Sequence, residues 1–124
     1  NIVAGREWKT GAEKRRVLGI NAKVLASGAL RDSPIDVDAS RLKREAVYVQ
    51  DRYFTSNGDT YYRLDVGFSY KINRKGSTHS FMFDVQNVTN HQNLYGSYYD
   101  ADKAKIRKVY QMGFFPIFNY RIEF

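Results

Sequence analysis

The chain has no cysteine, only two histidines and no long apolar run. Without cysteine there is neither a disulfide framework nor thiol chemistry. His79 and His91 share no recognised metal-ligand spacing with any carboxylate, so no metal site is expected. A P-loop, a nucleophile elbow and a dinucleotide fingerprint are all lacking, and neither catalysis nor a cofactor is expected. No stretch approaches the ~18–20 apolar residues of a membrane-spanning helix. A mean hydropathy of −0.57 and 27% charged residues point the same way and exclude a helical membrane protein. They leave a membrane β-barrel open, because alternating strands average to a polar composition and each crossing needs only ~10 residues.

What the chain does have is a period of two. From Tyr110 onward one register reads Tyr110, Met112, Phe114, Pro116, Phe118, Tyr120, Ile122, Phe124. The other holds Gln111, Gly113, Asn119, Arg121 and Glu123, with Phe115 and Ile117 as exceptions. Such alternation predicts a β-strand with one apolar and one wetter face. It stops on an aromatic residue, where a soluble domain usually frays. Barrel strands in an outer membrane carry apolar residues outward and polar ones inward, with aromatic girdles at both interfaces.

Three further segments alternate in the same way. Residues 17–26 set Leu18, Ile20, Ala22, Val24 and Ala26 on one side. Residues 61–72 set Tyr62, Leu64, Val66, Phe68, Tyr70 and Ile72 against a nearly complete polar face. Residues 78–89 set His79, Phe81, Phe83 and Val85 against Thr78, Ser80, Met82, Asp84 and Gln86. With a fourth strand at 108–124, these are longer than the ~5–6 residues usual in soluble proteins and suit a tilted membrane crossing. Asn1 to Trp8 reads as the end of a fifth strand.

The connections alternate in length. Residues 9–14 and 73–77 make compact turns. Residues 27–60 and 90–107 make loops too long for an ordinary compact domain. Short periplasmic turns with long outer loops are the barrel pattern. If the chain ends on the periplasmic side, both long loops face outward. Pro116 would interrupt a strand paired on both sides, and a bulge is expected there.

The net charge is +7, and aromatics make up 15% of the chain. Lys14, Arg15 and Arg16, then 41–44, Arg74 and Lys75, and 103–108 hold the basic clusters, all beside turns or loops. These read as solvated loop charges, some near anionic head groups, rather than as a nucleic-acid surface. The first residue is Asn1, with no leader ahead of it, so a processed piece or the tail of a longer protein is expected. Four or five strands are too few to close a membrane barrel, whose smallest members have eight.

Several short elements bear on the family. They are Gly5-Arg6-Glu7-Trp8 before a turn, and Ser33-Pro34-Ile35-Asp36 with Ser40 downstream. Tyr62-Arg63-Leu64-Asp65, Asp84-Val85-Gln86-Asn87-Val88-Thr89-Asn90 and the closing Tyr120-Arg121-Ile122-Glu123-Phe124 complete the set. In this order the chain resembles the C-terminal barrel segment of a TonB-dependent outer-membrane receptor, of the large type with long extracellular loops, over almost its whole length. The resemblance implies an all-β fold: an antiparallel transmembrane barrel segment, the last four to five strands of a 22-stranded barrel whose plug lies outside residues 1–124. It implies a place in the outer membrane of a Gram-negative bacterium and import of a large nutrient of siderophore, glycan or peptide type. The implied partners are outer-membrane lipid, the plug and remaining strands, the TonB complex and the barrel-assembly machinery. Phe118, Tyr120, Ile122 and Phe124 would then form the assembly signal of the closing strand.

Other residues carry expectations of their own. In the hairpin turning at 73–77, Asp65 should lie opposite Asp84 or Gln86. Arg63, Asp65, Lys71 and Asp84 are therefore expected to form a charge network facing the lumen, rather than a catalytic carboxylate pair. Asn87-Val88-Thr89 matches a glycosylation sequon but reads more simply as a strand end. The stretch 93–100 combines Tyr, Ser, Gly and Asn, residues that make adaptable recognition surfaces, and Tyr95, Tyr98 and Tyr99 are its candidate ligand contacts. Two other readings compete: a membrane anchor in which several chains share one barrel, and a soluble basic β-domain that binds nucleic acid.

Overall fold

The computed structural model describes residues 1–124, except the side chains of Lys14 and Asn57. The Lys14 side chain of the first basic cluster thus lies outside the described residues. The fold is mostly antiparallel β-sheet with one short helix. The chain divides into two compact units.

The first unit is one five-stranded sheet. Its strands are β1 (Ile2–Thr10), β2 (Arg16–Ser27), β5 (Tyr61–Asn73), β6 (Thr78–Gln86) and β9 (Phe115–Glu123). They are ordered β1-β2-β5-β6-β9, each beside its neighbour in the chain, with β1 and β9 as open edges. A three-residue 3-10 turn, Ala12–Lys14, joins β1 to β2. Gly11 precedes it at φ 79, a left-handed conformation that costs glycine nothing. β5 and β6 are joined by a tight turn that Arg74 closes by donating its amide to the Ser77 carbonyl at 2.8 Å. Both short turns sit at one end of the sheet, and the long connections leave from the other.

Register follows the alternation in the sequence. Across β5, β6 and β9 the pairs align Val66–Val85–Pro116, Phe68–Phe83–Phe118, Tyr70–Phe81–Tyr120 and Ile72–His79–Ile122. The opposite face carries Gly67–Asp84–Ile117, Ser69–Met82–Asn119, Lys71–Ser80–Arg121 and Asn73–Thr78–Glu123. β1 on β2 continues the pattern: Ala4 meets Ala22 and Trp8 meets Leu18 on one face, while Gly5 meets Asn21 and Glu7 meets Gly19 on the other. Gly19 faces Ser69 and Gly67 faces Asn21. Asn73 donates its amide to the Arg15 carbonyl at 2.8 Å. The polar rows therefore run on from β2 to β5, and a one-residue slip would carry every side chain to the wrong face. Arg6 is the one cation within the apolar rows of β1. Its guanidinium lies 5.4 Å from the Trp8 ring centroid, directed along the strand toward the turn end.

The second unit comprises 27–61 and 92–112. It holds a two-residue ladder of β3 (Arg31–Asp32) with β4 (Ser56–Asn57), the helix α1 (Val37–Lys43), and a hairpin of β7 (Leu94–Asp100) with β8 (Lys105–Tyr110). The Asp36 carboxylate caps α1 by accepting the Ala39 amide at 2.9 Å, and Arg44 ends the helix in a left-handed conformation. Ser40 is fully buried, and its hydroxyl oxygen accepts the Val47 amide at 2.9 Å. Asp36 donates its amide to Val47, and Val49 donates to Pro34. The Ser-Pro-Ile-Asp…Ser element is thus a self-satisfying knot around Ile35. The Ser97 hydroxyl donates to the Asp32 carboxylate.

Three sequence expectations are corrected here. The strand expected over 108–124 is two strands: β8 pairs with β7, and only Phe115–Glu123 joins the main sheet. The segment expected to run to Thr89 ends at Gln86, because Asn87 turns the chain at φ 51. Pro116 sits in unbroken register opposite Val85 with no bulge. Within this five-stranded sheet its strand is an edge, where a missing amide donor is tolerated. The long loops, for their part, contain the helix and both small ladders. The fifth strand, expected from Asn1 to Trp8, is present as β1.

Candidate functional site

The first candidate is the apolar face of the sheet. Among the described residues, the only buried hydrophobic side chains are Ile35 and Tyr99, both in the second unit. In the sheet Phe68 and Phe83 are 46% exposed, Ile20 49% and Phe118 67%. Sheets in water are stabilised by burying one face, and this one leaves continuous rows of Phe, Val, Ile and Tyr open. Burying a single such side chain contributes ~1.5–3 kcal/mol, so a contiguous face of this kind marks a surface meant for another phase or another layer. No helix is long and apolar enough to cross a membrane, which says nothing about crossing by strands.

Aromatic rings gather on this face toward the short turns. Phe81 and Tyr120 have centroids 4.8 Å apart, and Tyr70 lies 6.5 Å from Phe81. The His79 Nδ1 is 2.8 Å from the Tyr120 hydroxyl. Of the closing-strand residues, Phe118, Tyr120 and Ile122 all lie in the apolar rows, whereas Phe124 follows the end of β9 and is almost fully exposed.

The second candidate is a polar corner where β6 ends. Asn87, 1% exposed, donates its side-chain amide to the His91 carbonyl at 2.8 Å. Its side-chain oxygen accepts from the His91 amide at 3.1 Å and the Thr89 hydroxyl at 3.3 Å. The Asn87 backbone amide donates to Asp65 Oδ1 at 2.9 Å, and Asp65 Oδ2 takes the Arg63 guanidinium at 2.9 Å. Val88 donates its amide to Leu64, and Phe114 donates its amide to the Asn90 side chain. The His91 ring stacks on Tyr62 at 3.8 Å. One short segment therefore ties β5, β6 and the approach to β9. This gives the Tyr62-Arg63-Leu64-Asp65 and Asp84 to Asn90 elements a physical role. It also buries the sequon: the Asn87 amide is engaged and inaccessible.

The expected four-residue charge network is only partly assembled. Arg63 and Asp65 pair, but Asp84 stands opposite Gly67 beside Asn21, and Lys71 stands opposite Ser80. Among the described residues neither Asp84 nor Lys71 makes an ion pair. Asp84 instead bends across Gly67, where a Cβ would collide with it.

Tyr95, Tyr98 and Tyr99 do not form one surface. Tyr98 and Tyr99 are successive residues of β7 and point to opposite faces; Tyr99 is buried and Tyr98 exposed. Tyr95 sits at the register shift between Leu94 and Gly96. At the end of the same hairpin Asp100 meets Arg107 Nε at 2.7 Å. Desolvation works against its charge, but the Lys103 amide and the Arg107 and Lys103 cations outweigh it and hold the Asp100 carboxyl below the usual carboxylate range.

Sequence reasoning noted Asn87 and Asn90 only within a motif and a sequon, and His91 only as a loop histidine; none was expected to build a corner. The available signal was Asn directly after a period-two segment, since Asn readily takes the left-handed conformation and hydrogen-bonds locally. Comparison with known protein families, with characterised proteins and with solved structures gave no match.

Proposed function

We propose that the five-stranded sheet is a section of the wall of an outer-membrane β-barrel, and that this barrel is a TonB-dependent receptor importing a large nutrient of siderophore, glycan or peptide type. The observation that carries the barrel reading is the pairing of an open apolar face with a polar face on a continuous antiparallel meander that has two open edges. In lipid the apolar rows meet acyl chains, the polar rows face a wet lumen, and β1 and β9 pair with further strands, since unpaired edges are not tolerated there. Short turns at one end and long connections at the other fit the periplasmic and outer ends of such a wall. The receptor reading is supported by the order and spacing of the sequence elements, now seen as structural joints: the Ile35 knot and the Asn87 corner. The imported nutrient, the TonB complex and the barrel-assembly machinery are partners of that reading.

Fractionation with intact-mass measurement tests it. The expected species is an outer-membrane polypeptide several times heavier than 14.4 kDa that migrates differently on gels before and after heating. A 14.4 kDa oligomer in the membrane would replace the receptor by a shared-barrel anchor. A protein that stays in the aqueous fraction would overturn both.

A further inference from the structure

Between the two short turns lies a cleft of about 380 Å³, lined by Gly11, Arg15, Arg16, Ile72, Asn73 and Arg74 among others. We propose that this cleft binds the phosphate of an anionic phospholipid at the turn end of the barrel wall; the inference rests on the barrel reading above.

Three observations converge. The first is charge. Glu13, the only acidic residue lining the cleft, is already paired with Arg15. Among the described residues Arg16 and Arg74 make no ion pair. Two guanidinium groups therefore stand ready for an oxyanion, which Arg binds through paired N–H donors.

The second is construction. The Asn73 amide donates to the Arg15 carbonyl and locks the two turns together. The stem of Arg16 lies against Gly11, where a Cβ would sit 3.3 Å from Arg16 Cδ. Gly11 at φ 79 lets the chain turn and leaves room for that stem.

The third is position. Thr10 pairs with Arg16 at the end of the β1–β2 ladder, one step beyond the Trp8–Leu18 pair. On β5 and β6, the Ile72–His79 pair likewise lies one step beyond Tyr70–Phe81. Along the apolar face the order is thus aliphatic and Phe rows, then a belt of Trp8, Tyr70, Phe81 and Tyr120, then cations. Aromatic rings favour the head-group level of a bilayer, and cations just outside it meet lipid phosphate. Ile72, which lines the cleft, gives an acyl chain apolar contact where the phosphate enters. A free phosphate in water would gain nothing from Ile72 or the belt, so the lipid is the favoured source.

The test uses the intact protein in mild detergent, with native mass spectrometry against phosphatidylglycerol, phosphatidylcholine and inorganic phosphate. Wild type is expected to retain phosphatidylglycerol in preference to phosphatidylcholine and to ignore millimolar inorganic phosphate. Arg16→Gln with Arg74→Gln is expected to lower that preference about tenfold or more, as removal of two cations from a lipid surface should. Lys43→Gln with Lys75→Gln, outside the residues that line the cleft, should leave it unchanged. Equal loss in both double variants would reduce the effect to net charge and overturn the site. Displacement of the lipid by inorganic phosphate would make it a general anion site and overturn the lipid assignment. A detergent-embedded barrel that binds both lipids alike would sink this inference alone. A protein that stays in solution without detergent would sink the barrel reading with it.

Discussion

Phe83→Arg is expected to lower the amount of folded protein in the outer membrane severalfold or more, because arginine on the lipid face costs ~2–4 kcal/mol at mid-bilayer and less toward the interfaces, and Phe83 lies one row inside the aromatic belt. Phe83 sits in the middle of β6, with Phe68 on one side and Phe118 on the other. It is 46% exposed. On a soluble protein so open a position would accept arginine readily, since surface substitutions usually stay within ~0.5 kcal/mol. The two environments therefore give opposite results for one substitution. Met82→Gln is the matched control. Met82 is the next residue along β6, faces the polar side between Ser69 and Asn119, and should accept a polar group with little loss. Heat-modifiable band intensity in isolated outer membranes reads both. Equal levels for Phe83→Arg and wild type would place that face in water.

Asn87→Ala carries the second large effect. The substitution removes the donor to the His91 carbonyl and the acceptor for the His91 amide and the Thr89 hydroxyl. Each buried group left without a partner costs ~1–3 kcal/mol. Alanine must also hold φ 51, a left-handed conformation that costs ~1–2 kcal/mol for a residue with a Cβ. A total loss of about 3 kcal/mol or more is expected, read as a lower temperature for the heat-modifiable transition. Asn87→Gly separates the two causes. It relieves the backbone but restores no hydrogen bond, so it should recover only ~1 kcal/mol. If Asn87→Ala melts with wild type, the corner contributes nothing and the role assigned to the Asp84 to Asn90 element is wrong.

The sheet was legible in the sequence wherever one face was continuously apolar. Tyr62 to Ile72 and His79 to Val85 announced their strands, their faces and the turn between them, because a period of two has no other reading over such lengths. The partner of a strand is a different matter. Tyr110 opens the alternating run, and nothing in that pattern says that Lys105–Tyr110 pairs with Leu94–Asp100 rather than continuing into Phe115–Glu123. Register at the residue level was half visible. Counting from the turn allowed Asp65 to face either Asp84 or Gln86, and the ladder, with Val66 opposite Val85 and Gly67 opposite Asp84, takes the second alternative. The helix Val37–Lys43 was missed because seven residues are too few to show a helical stripe. Its capping Asp36 was noticed only as part of a motif. The Asn87 corner was hidden for a deeper reason. Its local bonds are joined by others between residues more than twenty positions apart, such as Asp65 and Asn87, which exist only once β5 and β6 are in register.

The chain contains no cysteine, so single cysteines introduced along β6 report one site each. Nitroxide labels at successive positions of Thr78–Gln86, in the protein reconstituted in lipid, would be compared for collision with oxygen, which concentrates among acyl chains, and with a water-soluble nickel reagent. The expected result is a period of two. Labels at Phe81, Phe83 and Val85 should favour oxygen, and labels at Ser80, Met82, Asp84 and Gln86 should favour nickel. Equal nickel access at all of these positions would contradict a membrane wall and leave the apolar face without its proposed solvent.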